Sequence, residues 1–261
     1  MSSPTRTASP LSPALSTRER ESEKLKQKVV AVVRLLHLEN ILNYSGHVSA
    51  RLPDGSGFII QPYIESRATL RPEHLLTLDL DLSHLPGSPQ HEMPIETRIH
   101  SEIYRARPDV QAVVHTHSEL AAAFTVADAR LVPMKSHAKR WASGIPVHMD
   151  PSHIKSKQQG AELATTLGAH QAALLRAHGG VCVAESVEAL LVDAVHFEEN
   201  ARAQVQALAI GPLLPLTKDE LELLTARDNR RQHIGKLWRY YVGKGLREGA
   251  LDNDEGLIGD Y

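Results

Sequence analysis

The chain has 261 residues, is 42% hydrophobic and 23% charged, and carries a formal net charge of −2; this is globular composition sufficient for one large core, with no general attraction to nucleic acid or to a membrane surface. A single cysteine, Cys182, excludes an internal disulfide, and no apolar run approaches the length that spans a bilayer. The unusual count is fifteen histidines, because imidazole is both a common metal ligand and the side chain that changes charge near neutral pH.

Residues 1–18 are rich in Ser, Thr and Pro, lack the apolar h-region of a signal peptide, and read as a disordered tail, so the expected location is cytoplasmic. A single domain is expected over 19–245, followed by an acidic, loosely held tail at 246–261. Within the domain, residues 19–43 place Val29, Val32, Val33 and Leu36 at helical spacing. GHVSARL (46–52) and GFIIQP (57–62) flank an Asp-Gly turn and read as a hairpin, with LLTLDLD (75–81) as a further strand. After a Pro/Gly-punctuated loop, Ile95, Ile99 and Ile103 mark a helix that stops at Pro108.

The pattern continues with a strand VQAVVHTH, a short helix ELAAAFTVA, a loop PMKSHAKRW and a short strand IPVHM. A helix QQGAELATTL follows, then a strand, glycine turn and strand in AALLRAHGGVCVA, a long helix over 186–208, and one final helix over about 218–240. Several neighbouring strands are close enough to be hairpins, which favours an α/β sandwich with a largely antiparallel sheet.

In a strand, residues two apart face the same way, so His115 and His117 project together from the end of an apolar run. Such a pair can grip one ion, or it can be a solvated strand end. His178, in LLRAHGG, is the best third donor, and three nitrogen donors with an open position make a catalytic divalent-metal site. Glu96 sits at a helix start just after Pro94, where an acidic side chain is favoured, and His100 follows at i+4 on the same face. The two are open to three readings: a further coordination position, an acid/base pair, or a helix-stabilising contact.

The ordered set ETRIH (96–100), RPDVQAVVHTH (107–117) and LRAHG (175–179) resembles the class II aldolase/adducin family over about residues 24–210. The resemblance implies a three-layer α/β/α sandwich with a mainly antiparallel central sheet, and a tetramer with active sites between subunits. It also implies one divalent metal per subunit, held by His115, His117 and His178, with Glu96 as ligand or acid/base; His100, one helical turn on, joins Glu96 as a catalytic candidate by its spacing. The three imidazoles accept zinc, manganese, iron or cobalt alike, and their presence argues against a non-catalytic, adducin-like interaction module.

The departures concern substrate. Phosphosugar aldolases of the family hold phosphate with T-G-N-I/L-S and T-P-S/T-G segments and serines ahead of the glutamate; here these read SGHVS (45–49), QPYI (61–64) and MPIE (93–96). Most donors of a phosphate cradle are missing. GHVSAR resembles the family's decarboxylase branch, which acts on hydroxylated aromatic or pyridine dicarboxylates such as 3,4-dihydroxyphthalate. Decarboxylation and retro-aldol cleavage both leave an electron pair that a Lewis acid can stabilise; the alternative is therefore an aldolase for a small non-phosphorylated hydroxy-carbonyl compound. Candidate substrate-binding residues are His47, Arg51 and Arg67 near the altered segments, Lys135, His137 and Arg140 in the basic loop, and Tyr240, which can reach a neighbouring subunit's site.

Overall fold

The computed structural model describes residues 16–254 together with 257 and 258; of the tail expected over 1–18, the first fifteen residues lie outside them, and Ser16 onward instead caps and begins the first helix. Helix α1 (Thr17–Leu38) opens on a capping box in which Ser16 and Glu19 satisfy each other's backbone N–H groups. Strands β1 (His47–Arg51) and β2 (Phe58–Ile60) form the expected hairpin, and β3 (Leu76–Leu78) adds to its edge. Helix α2 (Thr97–Ala106), strand β4 (Ala112–Thr116), helix α3 (Glu119–Val126), strand β5 (Val147–His148) and helix α4 (Lys157–Leu167) follow. Strands β6 (Ala172–Leu175) and β7 (Gly179–Ala184) precede the long helix α5 (Val187–Ile210).

Two elements differ from expectation. PMKSHAKRW contains a 3₁₀ turn over Ser136–Trp141. The final helix is two, α6 (Lys218–Ala226) and α7 (Arg230–Arg247), because Asn229 accepts from the Gln232 N–H and caps a new start. Beyond α7, Leu251 and Leu257 are buried, and the Trp238 indole N–H donates to the Leu257 carbonyl.

Among the described residues the strands form one seven-stranded sheet in the order β3-β2-β1-β4-β7-β6-β5. Every pairing is antiparallel except β5 with β6. Alternation along the strands sends Val48, Ala50, Ala112 and Val114 into one core with α1, α3, α5 and α7. Phe58, Val113, Val181 and Val183 enter the other, against Ile99 and Ile103 of α2 and Leu163 and Leu167 of α4. The result is a three-layer α/β/α sandwich with two hydrophobic interiors. Gly46 has φ +84°, and a Cβ there would stand 2.8 Å from the His115 carbonyl oxygen; glycine lets the chain enter β1 close against the end of β4, which sets His47 opposite His115.

Candidate metal centre

β4 carries His115 on its Val113 face, toward α2 and α4, and His117 leaves one residue past the strand's end. β7 runs antiparallel beside it, with Thr116 opposite Gly180, so His178 arrives at the same end of the sheet. The turn into β7 passes through Ala177 at φ +54°, an uncommon conformation for a residue with a Cβ. It is tied down there because the Ala177 N–H donates to the Thr125 hydroxyl at 2.8 Å. Glu96 is the residue before α2, but its carboxylate does not cap that helix. Oε1 instead accepts from the Ile154 N–H at 2.9 Å, which leaves Oε2 aimed at the imidazoles.

Glu96 Oε2 lies 3.4 Å from His115 Nε2, 3.7 Å from His117 Nε2 and 3.3 Å from His178 Nε2. The two nitrogens of His117 and His178 are 3.2 Å apart. A tetrahedral centre with bonds of about 2.0–2.1 Å holds its donors about 3.3–3.4 Å from one another; three of these four separations lie close to that length, and the His117–Glu96 one is longer. His115 Nδ1 lies 3.1 Å from the Gly180 carbonyl; a carbonyl only accepts, so Nδ1 carries the ring proton and Nε2 offers a lone pair. That Nε2 is buried with no hydrogen-bond partner, as expected of a ligand atom. The residues therefore fit a divalent metal. Burial would raise the Glu96 carboxyl, but the three imidazoles outweigh it and hold the group far below the usual carboxylate range.

His153 completes the surroundings, with Nδ1 3.4 Å from the same Glu96 oxygen and a side chain 59% exposed. The sequence offered little signal for it, since it sits in an irregular loop brought over the site by the Ile154–Glu96 bond. On the other side, His47 lies with its ring centroid 5.1 Å from that of His115. Its pKa falls well below the ordinary 6.5, through burial first and then the neighbouring His100 and His115. His100 is fully buried behind it, at about 3 for the same two kinds of cause. Its two ring nitrogens face His47 and Ser49 rather than Glu96.

The remaining candidates are placed differently. Arg51 donates to the carbonyls of Tyr104, Arg107 and Val110 and lies over the Tyr104 ring. Arg67 donates to the Gly46 and Glu65 carbonyls, while its buried Nε is unpartnered. Lys135 pairs with Glu199, and Arg140 with Glu185 and Asp193, all from the α5 side. His137, Arg140 and His196 line a separate cavity of about 1210 Å³ that none of Glu96, His115, His117 and His178 lines. His137, His196 and Glu199 form a second group of close donor atoms. However, the two imidazoles stack with centroids 3.9 Å apart and planes within 5°, so their in-plane lone pairs run parallel instead of converging. Tyr240 is 58% exposed on α7.

An antiparallel-rich sheet between helical layers, with three histidines and a carboxylate converging at the ends of its central strands, defines a class II aldolase-like α/β protein. Residues 27–205 match the profile of the family described as Class II Aldolase and Adducin N-terminal domain, and the chain belongs to that family. It is 30% identical over 197 residues to the decarboxylase NovR of Streptomyces niveus, covering 75% of this chain and 71% of that protein. It is 31% identical over 163 residues to a 3,4-dihydroxyphthalate decarboxylase of Rhodococcus jostii, covering 59% and 65%. Among solved structures, an L-fuculose 1-phosphate aldolase from Glaciozyma antarctica superposes with a TM-score of 0.77 at 20% identity, over 92% of this chain and 95% of that one. That last likeness is one of fold.

Proposed function

We propose that the protein is a divalent-metal-dependent, non-oxidative decarboxylase of a hydroxylated aromatic dicarboxylate such as 3,4-dihydroxyphthalate. The chain is a carbon–carbon lyase related to decarboxylases and aldolases. The observation that carries the finer reading is the convergence of Glu96 Oε2 with three imidazole nitrogens at metal-ligand spacing, beside a histidine where sugar-phosphate members have an amide.

His115, His117 and His178 would hold the ion, with zinc, manganese, iron and cobalt all compatible with the donors. When bound, it supplies Lewis acidity that stabilises the electron pair left on the substrate as the carbon–carbon bond breaks. The chain's own residues do the rest. A proton must reach the ring carbon that loses CO2; Glu96, ionised at rest among the imidazoles, would serve as acid/base by relaying that proton through Oε2 without storing it. His153, on the solvent side of that oxygen, can resupply it. His47, whose ring lies beside that of His115, would contact a substrate oxygen. Arg67, whose charge acts on His47 and whose buried Nε is unpartnered, is the proposed cation for a second carboxylate.

The assembly proposed is a cytoplasmic homotetramer with sites between subunits. Tyr44, Tyr63, Ile64 and Met149 are large apolar side chains left exposed in the single chain, which supports association. Lys135, His137, Arg140 and Tyr240 would then serve as substrate contacts only across a subunit boundary. No helix among the described residues is long and apolar enough to cross a membrane.

The test is metal analysis of the purified protein followed by a mass-spectrometric screen of dihydroxyphthalates and pyridine dicarboxylates. Stoichiometric metal and loss of CO2 are expected. An aldehyde product would replace this reading with the aldolase one, and self-association without metal or turnover would favour an interaction module.

A further inference from the structure

Strand β1 and helix α2 face each other with matched periods. His47, Ser49 and Arg51 alternate onto the α2 side of the sheet, and Glu96, His100 and Tyr104 recur every four residues on the opposing helix face. The two rows interlock as a buried polar line. His47 Nδ1 is 2.5 Å from His100 Nε2, His100 Nδ1 is 2.6 Å from Ser49 Oγ, and Ser49 Oγ is 2.7 Å from the Tyr104 hydroxyl. His100 and Ser49 are fully buried, Tyr104 is 1% exposed, and Phe58 packs against both the His100 and the Tyr104 rings.

A line of four groups with single protons between them can run in only two directions. If Tyr104 donates to Ser49, then Ser49 donates to His100 Nδ1. His100 donates from Nε2 to His47 Nδ1, and the His47 proton sits on Nε2, at the ring edge turned away from His100. In the opposite direction every bond is also made, but the buried Tyr104 proton is left with no acceptor among the hydrogen bonds described. An orphaned buried donor disfavours that arrangement by roughly ten- to a hundredfold.

We infer that Ser49 and Tyr104 are positioning residues that fix the tautomer of His100 and, through it, of His47. Neutral His47 then presents an Nε2–H donor to an anionic substrate oxygen, a carboxylate or a phenolate. Which oxygen it meets rests on the proposed function, whereas the tautomer does not. The line has a fixed polarity because its far end is a phenol. An imidazole free to choose its tautomer would offer a lone pair as readily as a proton, and a lone pair facing an anionic oxygen repels it.

The experiment is long-range 1H–15N correlation NMR on 15N-histidine-labelled, full-length protein at neutral pH, metal-free and with zinc added. His47 and His100 are both expected as Nε2–H tautomers. A proton on His47 Nδ1 overturns the inference, whatever the reaction proves to be. Tyr104→Phe removes the terminal donor; the expected results are tautomer exchange at both histidines and a turnover loss of about tenfold or more at unchanged zinc affinity. Unchanged tautomers and unchanged turnover in that variant also overturn it. If Tyr104→Phe does not fold, the wild-type spectrum decides alone. Expected tautomers in a protein that releases no CO2 from any dicarboxylate would sink the proposed function and leave this inference standing.

Discussion

Gly179→Ala is the perturbation that most directly asks whether the three histidines share one ion. A Cβ at this position would stand 2.0 Å from the Thr116 carbonyl oxygen and 2.9 Å from His117 Cα. Both neighbours are backbone, so β4 and the start of β7 must part by about 1 Å before the contact becomes tolerable, at an overpacking cost of about 1–3 kcal/mol. The same movement carries His117 away from His178, whose Nε2 atoms are 3.2 Å apart. Metal–ligand distances tolerate only about 0.2 Å, so one of the two imidazoles leaves the ion. Metal affinity should fall by about 10- to 100-fold, and turnover by about 100-fold for a misplacement of this size. Competition against a chromophoric chelator measures the first, and CO2 release the second. Gly211→Ala, where a Cβ would meet nothing within 4 Å, is the control for the exchange itself. A folded Gly179→Ala protein with wild-type metal affinity and turnover would refute the shared site.

Further outcomes follow from the same geometry. Glu96→Gln should keep the metal on the three imidazoles but lower turnover by about 10²–10⁴-fold, because an amide cannot pass the proton; an unchanged rate in a stopped-flow assay would remove Glu96 from the chemistry. Zinc in hundredfold excess over its Kd should stabilise the fold by about 2.7 kcal/mol, and a chelator should reverse the gain, read as a shift in Tm. Arg51→Ala should lower the free energy of unfolding by about 2–3 kcal/mol in urea titration, since its guanidinium satisfies three carbonyls around the end of α2. Burial holds His137 at about 4 and, together with His137 and His233, holds His196 at about 3, both below the ordinary 6.5. The folded state thus prefers the neutral rings. Their contribution is complete above pH 6.5 and is lost as the pH falls toward 4, so His137→Phe/His196→Phe should show a shallower fall of Tm over that interval than the wild type.

The parts of the fold written in local periodicity were legible in the sequence. Alternation in HVSAR and QAVVHT, helical steps in the segment around Ile99, and the glycines after His178 placed the strands and the same-face histidines where the structure has them. What escaped depends on distant partners. The split between α6 and α7 turns on one Asn229 cap inside an otherwise helical pattern. His153 reaches Glu96 only because a loop 58 residues away donates the Ile154 N–H. Lys135 and Arg140 look like free cations in PMKSHAKRW, yet their carboxylate partners lie on α5 or just before it, 45 to 64 residues further along. The Ser49–Tyr104 contact was equally hidden, since it needs the strand period and the helix period to be superposed.

The register of β4 ties these features into one device. β4 pairs with β1 on one side, setting His47 directly opposite His115, and with β7 on the other, setting Thr116 opposite Gly180 just after His178. A slip of one residue in β4 would turn its whole side-chain set to the other face. His115 would then enter the layer of α1 and α5, and Val114 would replace it beside Glu96. Val113 and Val114 are buried in different cores and would simply exchange places, so the slip is opposed by His115, whose imidazole would lose the Gly180 carbonyl and enter an apolar layer. The same strand carries two of the proposed ligands and faces His47, so the proposed donor keeps a constant offset from the histidine cluster. A flat, rigid anionic substrate, as proposed, suits such a fixed pair better than a flexible sugar phosphate, whose phosphate would have to find its donors elsewhere.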